Sequence, residues 1–325
     1  MNLLITGGAG FIGANFLQYI RRKRCGAKLV VVMDSLTYAS DYNNIADAVY
    51  EHPKIKFANV DIRDSRYVDA TFEKYGITHV MHFAAESHVD NSILGPKVFV
   101  ETNVLGTLNL LEAARKYEVK RFHHISTDEI YGHLEKGDKK FTESTPYAPR
   151  NPYSASKAGS DHLVRSYYHT YDLPITISNC SNNYGPYQNA EKFIPKIINS
   201  ILNRKKIPVY GQGLNVRDWI HVDDHCEALL KILKKGKIGE TYNVGANCEK
   251  RNLDVVYDIC TLLKVEPEDC TEFVDDRAGH DFRYAIDNTK IRKELKWKPK
   301  ITFEKGIAKT VSHYKYKYDT EFEDL

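Results

Sequence analysis

No run of this 325-residue chain approaches the roughly 18 consecutive apolar residues of a membrane-crossing helix, so an integral helical membrane protein is not expected. Charge of one sign is not in excess either. Forty-six Lys and Arg stand against 43 Asp and Glu, a net charge of +3, with the basic residues interspersed among the acids. That balance gives no electrostatic reason to bind nucleic acid or an anionic membrane. The six cysteines (Cys25, Cys180, Cys226, Cys248, Cys260 and Cys270) show no CxxC spacing and read as reduced, mostly buried thiols. The opening Met1-Asn2-Leu3-Leu4-Ile5-Thr6-Gly7 lacks the basic segment and long apolar core of a secretory signal. The expected location is therefore cytoplasmic, and the sequon Asn179-Cys180-Ser181 is not expected to be glycosylated. Internal repeats and long linkers are absent too.

What is present is an ordinary globular composition, 42% hydrophobic and 27% charged. Residues 2–5 form an apolar run that ends in Gly7, Gly10 and Gly13, after which the apolar spacing turns helical. Strand, glycine turn and helix in this order are the context of a dinucleotide fingerprint. Gly7 suits the tight turn, Gly10 admits a pyrophosphate to the backbone, and Gly13 lets helix pack on strand. A glycine turn without ligand is the competing reading. A second buried strand, residues 28–33, ends at Asp34, 21 residues after Gly13. A carboxylate there can accept both ribose hydroxyls and would repel a 2′-phosphate, favouring NAD over NADP.

Further strands are expected at 54–59, 78–83, 121–126 and 173–180, with helices at 64–74, 96–117 and 153–171 between them. The alternation predicts an α/β fold, a doubly wound parallel Rossmann sheet over residues 1–180. Residues 181–325 are expected mainly to form a smaller α/β substrate domain, with segments near 213–245 returning to the first. Its helices are expected at 192–203, 252–263 and 303–318, and Asp223 is the expected N-cap of a helix running to Lys234. Ligands of such sheets sit beyond the carboxyl ends of the strands, where Asp34, Asp61, Ala84-Ala85 and Thr127-Asp128-Glu129 all fall.

Chemistry concentrates in two stretches, His124-Ile125-Ser126-Thr127-Asp128-Glu129-Ile130-Tyr131-Gly132 and Tyr153-Ser154-Ala155-Ser156-Lys157. Tyr153 and Lys157 lie one helical turn apart on the same face. A Lys charge about 4 Å from the phenol is worth up to about 4 kcal/mol at an effective dielectric of 20, enough to make a base of it. The same spacing also fits a solvated helix face. Asp128-Glu129 supplies a pair of carboxyl groups, as an elimination needing an acid and a base together requires. His221 and His225 have i, i+4 spacing beside Asp223 and Asp224, but no third ligand follows at a recognisable spacing, so no metal is expected.

The glycine turn, HFAAESHVD, ISTDEIYG, PYSASKAGSDHLV, NCSNNYGP and RDWIHVDDH together resemble the extended short-chain dehydrogenase/reductases, and among them the sugar-nucleotide 4,6-dehydratases. The resemblance runs from residue 2 to beyond Tyr314. It implies that NAD oxidises C4 of a thymidine or uridine diphosphoglucose while Tyr153 takes the O4 proton. Lys157 holds the cofactor ribose and lowers the phenol, and Thr127 hydrogen-bonds O4. Glu129 then removes the C5 proton, protonated Asp128 delivers a proton to the departing O6, and reduction at C6 completes a 4-keto-6-deoxy sugar nucleotide for deoxysugars such as rhamnose. The same likeness places Phe11, Ile12, Asp34, Ser35, Leu36, Thr37, Asp61, Ile62, Phe83, Ala84, Ala85, Thr102 and Asn183 around NAD. Around the sugar nucleotide it places Ser87, Asn182, Lys192, Phe193, Pro208, Tyr210, Arg217, Asn252, Arg277 and His280. Arg217 and Arg277 suit a diphosphate clamp, since guanidinium binds phosphate bidentately. Ala278 stands where the family usually has proline. The resemblance also implies a homodimer joined through the helices at 96–117 and 153–171. A 4-epimerase, a decarboxylase and a catalytically silent NAD-binding scaffold remain the alternatives.

Overall fold

The computed structural model describes residues 1–276 and 279–323, so Arg277 and Ala278 lie outside the described residues. Six strands occupy the first part of the chain: β1 (Asn2–Thr6), β2 (Leu29–Asp34), β3 (Ile55–Asn59), β4 (His79–His82), β5 (Arg121–Thr127) and β6 (Ile175–Cys180). Then come β7 (Asn182–Tyr184), β8 (Ile207–Tyr210), β9 (Val216–His221), β10 (Thr241–Val244), β11 (Glu249–Arg251) and β12 (Thr271–Val274). Seven of them form a parallel sheet in the order β10-β6-β5-β4-β1-β2-β3. The chain runs outward from β1 to β3 and then crosses back to β4 on the other side of β1. The strand order therefore reverses between β1 and β4, and a crevice opens at their carboxyl ends.

The doubly wound architecture expected from the alternation of elements is the one observed. Burial explains the apolar runs: Leu3, Leu4, Ile5, Val31, Val32 and Met33 are fully enclosed between two helical layers. β10 adds the outermost strand from late in the sequence, and the Val222–Lys235 helix packs beside the Phe11–Lys23 helix on the same layer. The remaining strands make a three-stranded sheet, β11-β9-β7, and a β12-β8 pair, around a separate core that includes Tyr184, Trp219, Ile198 and Phe303. Among the described residues, no helix is long and apolar enough to cross a membrane.

Two local features differ from expectation, and a third bears on the charges near the site. The helix expected at 96–117 is interrupted: Pro96–Phe99 and Thr107–Lys116 are α-helical, but Val100–Gly106 is a π-helix. The wider turn brings Asn103 to the loop after β4, where its Oδ1 accepts from Glu86 N–H at 2.8 Å and its Nδ2 donates to Glu86 O at 3.0 Å. Second, Asp223 is not an N-cap. The Val222–Lys235 helix follows directly on β9, so its cap is His221, whose Nδ1 accepts from Asp223 N–H at 3.2 Å, while the Asp223 carboxylate pairs with Arg22 at 2.9 Å. Third, strands β4 and β5 bury histidines among apolar residues. His82 lies between Thr6 Oγ1 (2.8 Å) and Thr107 Oγ1 (2.9 Å), and His123 between Thr176 Oγ1 (2.8 Å) and Ser178 Oγ (3.0 Å). Burial pushes both rings well below their ordinary pKa, so hydroxyl partners rather than charges satisfy them.

The glycine turn is fixed by close approach. Gly7 has φ +65°, and a Cβ on it would sit 2.6 Å from Ala84 N. A Cβ on Gly13 would sit 2.2 Å from Gly7 O and 2.8 Å from Gly8 Cα. Gly13→Ala must therefore push the helix off the turn. Equilibrium denaturation should show a loss of about 1–3 kcal/mol, the usual cost of overpacking. An unchanged stability would mean the turn is looser than this packing implies.

Candidate active site

The crevice is a cleft of about 310 Å³ whose walls include the glycine turn, the ends of β2 and β3, the loop after β4, Thr127 to Glu129, Tyr153 and Lys157. All five expected catalytic residues line it, together with the expected cofactor residues apart from Leu36, which is 37% exposed at its rim with φ +53°. Ser87, Asn182 and Lys192 line the same cleft. Phe193, Pro208, Tyr210, Arg217, Asn252 and His280 do not, and sit on the smaller unit.

The cofactor end is organised by Asp34. Its Oδ2 accepts from Ala9 N–H in the glycine turn at 2.9 Å, and its Oδ1 accepts from Leu36 N–H at 2.9 Å. One carboxylate thus ties the end of β2 to the turn after β1 and keeps lone pairs for a ribose. The positive end of the Phe11–Lys23 helix faces the same space through Gly10, which has no side chain to block a pyrophosphate. Asp61 is held below the usual carboxylate range, chiefly by its hydrogen bonds from Arg63. This cradle fits a dinucleotide without a 2′-phosphate.

At the other end, β5 runs into a short 3₁₀ turn, Asp128–Tyr131, capped by Thr127 Oγ1, which accepts from Glu129 N–H at 3.3 Å. The turn sends neighbouring carboxyl groups into unlike surroundings. Asp128 is 2% exposed, and its Oδ2 has no hydrogen-bond partner. Burial, and then the nearby charges of Glu129 and Asp218, push Asp128 well above the carboxylate range. Glu129 is half-buried at the cleft wall, with Asn151 Nδ2 donating to its Oε2 at 3.5 Å. The pair therefore offers a carboxyl that keeps its proton beside a second carboxyl group reachable from the cleft.

Tyr153 and Lys157 project from the Pro152–Tyr171 helix, which begins with proline at N1 and a capping box between Asn151 and Ser154. That cap orients the helix, and Asn151 then reaches Glu129 as well. Lys157 is 4% exposed and its Nζ donates to Ile125 O at 2.8 Å. The expected lowering of Tyr153 by Lys157 is not what this geometry gives. Burial first, and then the Glu129 charge, push the phenol well above its ordinary value, with a hydrogen bond from Thr127 pulling the other way. The Lys157 ammonium is turned to a backbone carbonyl, and desolvation outweighs the rest.

On the substrate side, Lys192 Nζ donates to Ser87 O at 2.7 Å across the cleft. Arg217 is buried, stacked 4.3 Å from the centre of the Tyr284 ring, and donates to Val216 O (2.8 Å) and Asp281 O (2.9 Å). His280 packs edge-on to Tyr210, with Nδ1 2.6 Å from Asp276 Oδ1. Asn252 starts the Asn252–Leu263 helix, its N–H donating to Asn215 O at 2.9 Å. Nor do His221 and His225 point at one another's partners: His225 Nδ1 lies 2.8 Å from Asn183 Oδ1, while His221 caps its helix. Sequence reasoning missed Asn151 and Asn103. Only Asn151 had a local signal, an N-cap residue before proline and a helical pattern.

The family model described as GDP-mannose 4,6 dehydratase matches residues 4–310. The dTDP-glucose 4,6-dehydratase of Neisseria meningitidis is 50% identical over 331 residues, covering 96% of this chain and 92% of that protein. The dTDP-glucose 4,6-dehydratase of Streptomyces venezuelae, solved with NAD and TYD bound, superposes with a TM-score of 0.94 at 43% identity, covering 98% of each chain. The UDP-glucose 4-epimerase of Thermus thermophilus, solved with NAD, also superposes, at a TM-score of 0.89 and 30% identity, covering 97% of this chain and 99% of that one. Because both kinds of enzyme share the fold, the side chains in the cleft carry the distinction.

The environment of Asp128 has a consequence for stability. Its folded pKa lies above its unfolded one, so its contribution is fully present below about pH 4 and is lost as the pH rises toward neutrality. Asp128→Asn keeps the shape and removes the cost of taking up a proton on folding. At neutral pH its melting temperature should exceed the wild type's by roughly 2–4 °C, with the gain shrinking toward pH 4. Thermal melts across that range test it; a pH-independent difference would place the cost elsewhere.

Proposed function

The chain belongs to the GDP-mannose 4,6-dehydratase family, and from that premise we propose that it converts dTDP-glucose to the 4-keto-6-deoxy sugar nucleotide, with NAD as a resident cofactor. The observation that carries this reading is the Asp128-Glu129 pair, one carboxyl buried with an unpartnered oxygen and the other half-buried, beside Tyr153 and Lys157 in one cleft. An epimerase has no use for an acid aimed at O6. NAD, seated on the glycine turn and Asp34, supplies a hydride acceptor for C4 and later a donor for C6.

The protein's own groups move the protons. Tyr153 receives the O4 proton, its phenol held by Thr127. A phenol kept protonated by burial binds the hydroxyl first and becomes a base only as charge develops on O4 beside the Lys157 ammonium. Once C4 is a ketone the C5 proton is acidic; Glu129 takes it, and C5 is reprotonated when the hydride reaches C6. Asp128, kept neutral by burial, gives its proton to the leaving O6. Lys192 and Arg217, with Arg277, bind the diphosphate, and Ser87, Asn182, Phe193, Pro208, Tyr210, Asn252 and His280 enclose the rest of the nucleotide sugar. The Tyr284 ring and the carbonyls around Arg217 set the plane of its guanidinium, which bidentate phosphate binding requires.

The same reading includes a cytoplasmic enzyme that serves deoxysugar synthesis, such as that of rhamnose, and a homodimer. Leu94 is 86% exposed, Val100 49% and Leu105 50%, an apolar strip on the helical segments beside the Pro152–Tyr171 helix that a second copy would cover.

Mass spectrometry of separate incubations with dTDP-glucose and UDP-glucose tests the assignment. Loss of one water, faster from dTDP-glucose, is expected; a product of unchanged mass inverted at C4 would make the enzyme an epimerase. Glu129→Gln should slow water loss about 10²–10⁴-fold, the range for one general base. A sugar nucleotide lighter by two hydrogens should then build up on the enzyme. Wild-type turnover by that variant would remove Glu129 from its role.

A further inference from the structure

Asp161 lies one helical turn beyond Lys157, is fully buried, and has no part in the proton transfers just described. A carboxylate in such a place is costly unless a charge or several donors hold it. Tyr147 OH donates to its Oδ2 at 3.0 Å, and Arg165 donates to the Tyr147 hydroxyl oxygen at 2.8 Å while its charge also acts on Asp161. Its Oδ1 lies 3.2 Å from His124 Nε2 without an aligned donor. His124 cannot supply the missing charge, because burial and then Lys157 push that ring down to about 4. The i, i+4 spacing puts Lys157 on the same helix face; its ammonium donates to Ile125 O and makes no direct salt bridge to Asp161, but each charge acts on the other.

We propose that Asp161 is a positioning residue for the site: it is the counter-charge that holds Lys157 as an ammonium on the dry floor of the cleft. The proposal rests on the reading of Tyr153 and Lys157 as the base. Around Lys157, β4 presents His82, β5 presents His124 and the carbonyl of Ile125, and β6 presents Cys180. Burial makes both rings neutral and pushes the Cys180 thiol up to about 12, so at working pH none of the three opposes a buried cation. Burial pushes Lys157 down, and Asp161 is foremost among the groups that resist this. Asp161 in turn is held below the usual carboxylate range against its own burial, by the His124 side chain within hydrogen-bonding distance and, with that ring neutral, by the Lys157 charge and the Ser126 hydroxyl. From the turn after β5, Tyr131 also faces Asp161, neutral and raised by its burial.

A cycle of melting temperatures tests the pairing without turnover. Lys157→Met should destabilise by leaving the anion unpaired, and adding Asp161→Asn should raise the melting temperature again. Asp161→Asn that folds only together with Lys157→Met also supports the pairing. Losses that simply add, or a double variant that fails to fold, overturn it. In the active enzyme, Asp161→Asn should move the alkaline limb of kcat to lower pH by about 1–3 units, the effect of losing a neighbouring opposite charge. Asp161→Glu should restore the limb, and Tyr147→Phe should weaken the fold without moving it. Unmoved limbs in a folded Asp161→Asn would make the residue merely structural. A positive melting cycle in a protein that dehydrates no sugar nucleotide would uphold the charge pairing and reject the enzymatic reading.

Discussion

A single contact joins the two stretches that make the site. Lys157 Nζ donates to the carbonyl of Ile125, and through it the Pro152–Tyr171 helix is fastened to β5 two residues before the strand ends. Everything catalytic is measured from that joint. Tyr153 lies one turn up the helix and Thr127 two residues along the strand, so their meeting follows from helical and strand spacing. The Asn151 cap then carries the helix start to Glu129. A buried ammonium makes a firm joint because a charge-assisted hydrogen bond is strong where the surroundings are apolar, and for the same reason it demands a counter-charge.

Desolvation governs the protonation states more than any pair of charges does. It raises Asp128 and Tyr153 and lowers His82, His123, His124 and Lys157, in each case as the first cause. The cleft floor is therefore a nearly neutral layer, in which a charge that appears during reaction is felt strongly. The sheet makes this tolerable. Its central strands are enclosed by apolar layers, and His82 and His123 among them are matched to hydroxyls.

Much of this could be read from residue order. The apolar runs at β1 and β2, the glycine spacing and Asp34 define a buried parallel sheet with a nucleotide cradle, because strand burial and turn chemistry are local. The position of Thr127-Asp128-Glu129 at a strand end was legible for the same reason. The π-helical turn at Val100–Gly106 was not: its register is set by Asn103 meeting Glu86 and Ser156, contacts between distant segments. The N-cap at His221 went to the wrong residue, since Asp223 is the better capping type and only the Arg22 partner shows why it is occupied elsewhere. The effect of Lys157 on Tyr153 failed on a different ground. Spacing places a charge near a phenol but says nothing of how dry the phenol is.

The adjacency of Asp128 and Glu129 has its own logic. Two carboxyl groups at i, i+4 on a helix share a face and an environment, and tend to titrate as a coupled pair. Neighbours on a 3₁₀ turn diverge by about 120°. One can enter the protein while the other stays at the cleft wall, so the two carboxyl groups meet different degrees of burial, and burial is the first cause that raises Asp128. Their charges still interact, and the Glu129 charge raises Asp128 further. The same turn thus orients the pair and biases it.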